Sequence, residues 1–452
     1  MDKRTFLKVC SAALTSRKIF STFASSDSKL KNWAGNLEYS TEKQYSANSL
    51  KDVQKFVRTR NTLKVLGTRH CFNKIADTTS EFLSVKAMDH VIALDPDART
   101  VSLESGMTYG QLCQYLDSRG WALHNLASLP HISVAGACTT ATHGSGEKNG
   151  NLSTAVSAIE MVNAAGEIIK LSRSRDGDMF RGAVVGLGAL GVITKVTLDI
   201  QPHFMMKQYV YENLPLPELR EHFDAIESAA YSVSLFTDWQ DKRINEVWLK
   251  IRVPDESRFD APAEFFGAKR ATRNLHPIVA LSAENCTEQM GVPGPWYERL
   301  PHFRMGFTPS AGKELQSEYF VPRQNAVDAI LAVERLRDKV GPHLLISEIR
   351  TIAADDLWMS PCHKQPSVSI HFTWKQNWPA VKTLLPVIER ELSPFHVRPH
   401  WGKLFTISPE DIHARYQRLP EFLEICRKYD PHGKFRNEFL NRNVFANKIA
   451  SA

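Results

Sequence analysis

Groups suited to nucleophilic attack, proton transfer and hydroxyl recognition gather in three parts of the chain. The first is Val65-Leu66-Gly67-Thr68-Arg69-His70-Cys71-Phe72-Asn73, a β-prone run, a glycine turn, then a hydroxyl, a guanidinium and an imidazole in succession. Such a turn presents backbone amides that can wrap an anion, and a neutral imidazole beside it is a competent nucleophile. Taken alone, His70 reads better as a histidine satisfied within a turn. The second runs from Ala127 to Gly146, where nearly every side chain is small, hydroxylated or absent. Backbone this bare can lie against a flat polar ligand and donate many N–H groups. The other reading, a Ser/Thr-rich surface loop, fits poorly with the embedded Ile132, Val134 and Ala135. The third is dispersed: Ser347-Glu348-Ile349-Arg350, His371-Phe372-Thr373 and His400-Trp401-Gly402-Lys403. Alternation along a strand puts Glu348 and Arg350 on one face, and Ser369, His371 and Thr373 on one face of another. A wall of paired donors and acceptors suits the vicinal hydroxyls of a polyol; an exposed sheet face with an ordinary ion pair accounts for the same residues equally well.

The elements that must hold these groups divide the 452 residues into four stretches. Residues 1–30 form a leader. Residues 31–202 read as an α+β unit of mixed sheets, with helical spacing over 49–59 and 109–119 and short β-branched strands ending in 192–200. Residues 203–400 read as a second α+β unit, one antiparallel sheet with helices on one face. Its aromatic strands fall at 246–251, 317–321 and 367–374, its helices at 323–339 and 378–392, and a Pro- and Gly-rich loop spans 291–309. Residues 401–452 form a tail with a helix over 409–429, returning to the first unit. Gly186-Leu187-Gly188-Ala189-Leu190-Gly191 matches GxGxxG, but it leads into the alternating strand Val192–Leu198 and not into a helix, so a Rossmann nucleotide site is rejected. A glycine-dense turn packed close to backbone or ligand is expected instead.

Composition narrows the function classes. The 56 Lys and Arg outnumber 49 Asp and Glu, for a net charge of +7, but they are spread without a basic block, so nucleic acid is not an expected partner. No apolar run approaches the ~18 residues of a membrane span. Seven cysteines, an odd count without CxxC pairs, indicate neither a zinc site nor a disulfide framework, and no metal is expected. The leader carries Lys3-Arg4 ahead of a short apolar stretch, Val9 to Leu14. It reads either as a twin-arginine-like signal for export to the periplasm or as a disordered cytoplasmic tail. A monomer is expected.

Together the segments, with Asn32-Trp33-Ala34-Gly35-Asn36 and Gly433-Lys434-Phe435-Arg436-Asn437 in the same order, resemble the vanillyl-alcohol oxidase family of FAD enzymes, specifically its alditol oxidase and aldonolactone oxidase branch. The resemblance covers about residues 31–445. It implies an FAD-binding domain of the PCMH type over 31–202 and a substrate cap over 203–400. It also implies a covalent bond from His70 to the flavin 8α-methyl. Cofactor contacts are implied at Val65, Leu66, Gly67, Thr68, Arg69 and Cys71, at Ser128, Ser133, Gly136, Ala137, Cys138 and Thr139, and at Ile193 and His400. Substrate contacts are implied at Ser128, Glu348, Arg350, Thr373 and Lys403, with His371 nearby.

Oxidising a carbinol requires a base for the hydroxyl proton and an acceptor for the hydride. Lys403, its pKa lowered by burial near Arg350, is the expected base, and Arg350 is expected to stabilise the alkoxide. The resemblance also implies that a small residue at Ala127 sets dioxygen access. The leading expectation is oxidation of the terminal alcohol of xylitol or sorbitol to an aldose, with hydrogen peroxide released. A 1,4-lactone substrate is the near alternative, and a flavin- or sugar-binding protein without turnover the remote one.

Overall fold

A computed structural model describes residues 29–254, 259–307 and 313–446. The Lys3-Arg4 leader and Cys10 lie outside the described residues. The chain opens with three short parallel strands, β1 (Gln44–Ser46), β2 (Lys64–Leu66) and β3 (Phe82–Ser84), ordered β1-β3-β2. Between β1 and β2 lies α1 (Leu50–Thr59), begun by Ser49, whose side chain accepts from the Asp52 amide; Val53, Phe56 and Val57 turn one face of it inward. A five-stranded antiparallel sheet follows, built from β4 (Val91–Asp95), β5 (Thr100–Glu104), β6 (Val156–Val162), β7 (Ile168–Ser172) and β8 (Val192–Asp199) in the order β4-β5-β8-β6-β7. Helix α2 (Tyr109–Asp117) starts on a capping box between Thr108 and Gln111. The small-residue run folds into the six-residue α3 (Val134–Thr139) with irregular chain on both sides.

The GxGxxG turn enters β8, as its β-branched continuation requires, and buried and half-buried residues alternate along the strand. Gly191 sits at φ 158, and a Cβ there would come within 2.5 Å of the Val162 carbonyl. Close backbone packing accounts for that glycine.

The second large sheet is antiparallel. Its centre is formed by β9 (Met205–Pro215), β10 (Ser232–Thr237), β11 (Arg243–Val253), β12 (Glu314–Pro322), β13 (Leu344–Ile352) and β14 (Ser367–Lys375), ordered β9-β11-β10-β13-β14-β12. Helices α4 (Ala326–Glu334) and α5 (Trp378–Leu392) pack on one face of β12 and β14, leaving the opposite face for the polar wall. Of the expected 291–309 loop, the described residues 291–307 are mostly irregular, with a two-residue strand at Gly294–Pro295 paired to Met205 and Met206 of β9 and a 3-10 turn at Trp296–Glu298.

The predicted tail helix over 409–429 is two helices, α6 (Pro409–Arg415) and α7 (Leu419–Tyr429). The break falls where Pro420 has no N–H to offer the Tyr416 carbonyl. No helix among the described residues is long and apolar enough to cross a membrane, and no cluster of three or more His, Cys, Asp or Glu among them suits a metal ion.

Candidate active site

The His70 turn is held by side-chain amides on both flanks. Asn32 Nδ2 donates to the Cys71 carbonyl at 3.0 Å and Asn36 Nδ2 to the Phe72 carbonyl at 3.1 Å, while the Trp33 amide donates to Arg69 O at 2.8 Å. Arg69 takes a positive φ of 62°, which turns the chain sharply before His70. Asn73 then fastens the tail: its Nδ2 donates to Trp401 O at 2.8 Å and Lys403 O at 2.6 Å. Asn73 therefore holds the His70 turn against the Lys403 segment, far apart in sequence, while Asn32 and Asn36 brace the turn itself.

On the sheet, register sets the rest. Glu348 pairs with His371, and His371 with Glu318, so three titratable groups form one row across β13, β14 and β12. Arg350 and Ser369 form the next row, and Thr373 lies opposite Gln316 on the other side. The His400–Lys403 turn docks on β12, the His400 amide donating to Glu318 O at 3.0 Å and the Leu404 amide to Gln316 O at 2.9 Å.

Glu318 is the hub. Its Oε1 accepts from Arg350 Nη2 at 2.7 Å, its Oε2 from Lys403 Nζ at 2.7 Å, and His143 Nε2 stands 3.1 Å from Oε1. Burial opposes ionisation of Glu318, but Lys403, His143 and Arg350 together hold its pKa well below the usual carboxylate range. Glu348, 3.5 Å from Arg350 Nε, is held far down in the same way. Two cations face two anions, and the histidines among them are neutral: burial, then the Lys403 charge, push His371 and His400 well below the ordinary imidazole value. Burial also lowers the pKa of Lys403, Arg350 adding to the effect and Glu318 opposing it. Both ring nitrogens of His371 are buried without a hydrogen-bond partner among the described residues. A buried imidazole left this way costs free energy unless a ligand completes it.

These groups line a single cavity of about 470 Å³ with the glycine turn and the small-residue run. Its walls include Val65, Leu66, Gly67, Thr68, Arg69, His70 and Cys71 on one side and Ala127, Ser128, Ser133, Gly136, Ala137 and Thr139 on another. Glu348, Arg350, His371, Thr373, His400 and Lys403 line it as well. The walls suit a large flat cofactor. At Gly136 a Cβ would stand 2.6 Å from Ser133 Oγ, and at Gly67 3.0 Å from the same atom, so backbone lies open to the cavity where side chains would crowd it.

Two residues expected on the cofactor side are not among the lining. Cys138 turns inward on α3, its thiol 3.7 Å from the Tyr109 hydroxyl, and Ile193 sits within β8 opposite Met161. His70 is half-buried and held neutral, its pKa brought down to about 3 by desolvation and the nearby His131 and Lys403. Its Nδ1 lies 3.3 Å from His131 Nε2, and Trp33 stacks on His131 and lies tilted against His70.

Glu318, His143, His131 and His302 were not singled out from the sequence. Glu318 did leave a signal, because it shares strand parity with Gln316 and directly precedes the apolar Tyr319-Phe320-Val321; a charged group there is buried only if paired.

Residues 45–172 match the FAD binding domain family, and residues 309–443 match the D-arabinono-1,4-lactone oxidase family. An alditol oxidase from a Streptomyces species is 44% identical over 412 residues, spanning 90% of this chain and 97% of that protein. The L-gulonolactone oxidase of Mus musculus is 25% identical over 439 residues, spanning 92% and 98% respectively. A solved solvent-stable cholesterol oxidase shares the fold, with a TM-score of 0.73 at 15% identity over 91% of this chain and 96% of its own. With a cavity that suits a flavin and homology along nearly its whole length, the chain belongs to the family of FAD-dependent oxidases that contains alditol oxidase and the aldonolactone oxidases.

Proposed function

We propose that this protein oxidises the terminal alcohol of a small polyol to an aldose, on an FAD tethered to His70. The observation that carries the reading is the wall of Glu348, Arg350, His371, Thr373 and Lys403 sharing one cavity with the His70 turn and the small-residue run. FAD, when bound, supplies the hydride acceptor and passes the electrons to dioxygen as hydrogen peroxide. In this reading residues 31–202 and the returning tail hold the cofactor, and residues 203–400 supply the substrate wall.

The side chains orient the substrate and move its proton. Glu348 accepts from one hydroxyl, and Thr373 and Ser128 have donor and acceptor capacity for others. Arg350 keeps its charge, because Glu348 and Glu318 outweigh the burial that would lower its pKa, and it stabilises the alkoxide as it forms. Lys403 takes the hydroxyl proton in its neutral form. These buried donors and acceptors, fixed on adjacent strands, hold the carbinol in one orientation for transfer.

Anaerobic mixing of the yellow protein with xylitol, sorbitol or L-gulono-1,4-lactone tests the substrate. The polyols should bleach the flavin absorbance, and air should restore it with release of hydrogen peroxide. The 309–443 match makes the lactone the informative competitor; bleaching by the lactone alone would replace the polyol.

The proposed tether rests on a neutral imidazole, half-buried in the cavity wall and flanked by Trp33 and His131. Acid-denatured wild-type protein should keep a fluorescent flavin band on a gel, and His70→Ala should lose it. A His70→Ala protein that still carried denaturation-resistant flavin would move the bond to another residue.

A further inference from the structure

The polar wall does not end at Glu348. On the same sheet face, across β10, Lys250 of β11 lies opposite Ser232, while Ser234 stands between Trp248 and Arg350. The small serines of β10 leave a trough, and His302 from the 291–309 segment occupies it, with the rings of Phe236 and Trp248 edge-on to it at centroid distances of 5.3 and 5.4 Å. His302 Nε2 is 2.7 Å from Glu348 Oε1, and its Nδ1 is 3.2 Å from Lys250 Nζ. Lys250 also donates to the carbonyls of Leu300 at 2.5 Å and Pro301 at 3.1 Å. Lys250, His302 and Glu348 are all buried.

These contacts determine the tautomer. An ionised carboxylate only accepts, so the imidazole proton resides on Nε2, where it is donated to Glu348, and Nδ1 is left to accept from Lys250. Burial and the Lys250 charge hold His302 neutral, its pKa down to about 4. Burial also lowers the Lys250 pKa, to about 7, with Glu348 opposing the shift. Arrangements in which one group orients a histidine so that its other nitrogen serves a reacting partner are a general way to fix geometry.

We propose that Lys250 and His302 are positioning residues for substrate affinity: they occupy Glu348 Oε1 and turn Oε2, beside Arg350, toward a substrate hydroxyl. Neither touches the reacting carbon. Lys250 lies outside the cavity lining and acts through His302; His302 lines the cavity beside Glu348 and acts through its hold on that carboxylate, so the inference rests on the reading of Glu348 as a substrate contact. An interaction made equally in the ground and transition states appears in KM and not in kcat.

Steady-state oxidation of xylitol by FAD-loaded variants tests this, with flavin content and Tm measured on each. His302→Leu removes the donor and should raise KM roughly tenfold to a hundredfold, with kcat held within a few-fold. His302→Gln, whose amide can accept from Lys250 and donate to Glu348, should restore KM to near the wild-type value. Lys250→Met should raise KM in the same direction, and the double variant Lys250→Met/His302→Leu should be no worse than His302→Leu alone. If His302→Leu does not fold, Lys250→Met against His302→Gln gives the same comparison. A Glu348→Gln enzyme with raised KM beside His302→Leu or Lys250→Met enzymes with wild-type KM would overturn the positioning role while sparing Glu348. An unchanged KM in Glu348→Gln would remove the reading of Glu348 itself, and the positioning role with it.

Discussion

Lys403→Met should slow reduction of the flavin by a polyol by about 10²- to 10⁴-fold, the usual contribution of a positioned general base. Methionine has a similar length and packs without charge, and the His70 turn and the small-residue run do not depend on the ammonium, so the variant should fold and stay yellow. The wild-type pH dependence supplies the second half of the test. A base acts only when unprotonated, so the rate should rise with pH as Lys403 loses its proton. Burial and Arg350 lower the Lys403 pKa, and the rise should therefore level off below the ordinary lysine value of about 10.4. Lys403→Met should lose that rising limb along with the rate. Near-normal flavin reduction in the variant, measured by anaerobic stopped flow, would remove Lys403 as the base.

Glu318→Gln should produce the other large effect, on stability and on pH dependence together. The carboxylate serves Arg350, Lys403 and His143 at once and is fully buried. Removing one partner of such a group leaves buried cations uncompensated, at a cost of about 3–5 kcal/mol, and Tm should fall accordingly. The sign of the kinetic shift follows from the same pair: Glu318 raises the Lys403 pKa against the pull of burial. Without its charge the Lys403 pKa falls further, and the rising limb of flavin reduction should move to lower pH. A limb displaced to higher pH, or left in place, would show that Glu318 does not govern the proton on Lys403.

The parts of the site legible in sequence are those whose meaning is local. Gly67 to His70 announces a turn because a glycine follows a β-prone run, and Glu348-Ile349-Arg350 announces a shared face because strand parity is a property of the chain. Rejection of the GxGxxG nucleotide motif was legible for the same reason, since β-branched residues follow Gly191. Helical spacing alone predicts an unbroken tail helix, and Pro420 outweighs it at Tyr416–Arg418. The family resemblance implies a cofactor contact at Cys138, but which way a thiol points from α3 depends on what packs against it, here Tyr109 and Leu152.

Family, fold class and the chemistry of the wall are thus written in the chain, in turn residues, strand parity and the order of the segments. The ionisation of the site is not. Whether Lys403 sheds its proton, whether His371 stays neutral and which oxygen of Glu348 is free depend on Glu318, His143, His302 and Lys250, which join the site only through cross-strand register and loop packing. Coulomb interactions act through space and strengthen as water is excluded. Neither distance nor burial exists for these groups until β12, β13 and β14 pair and the tail folds back against them.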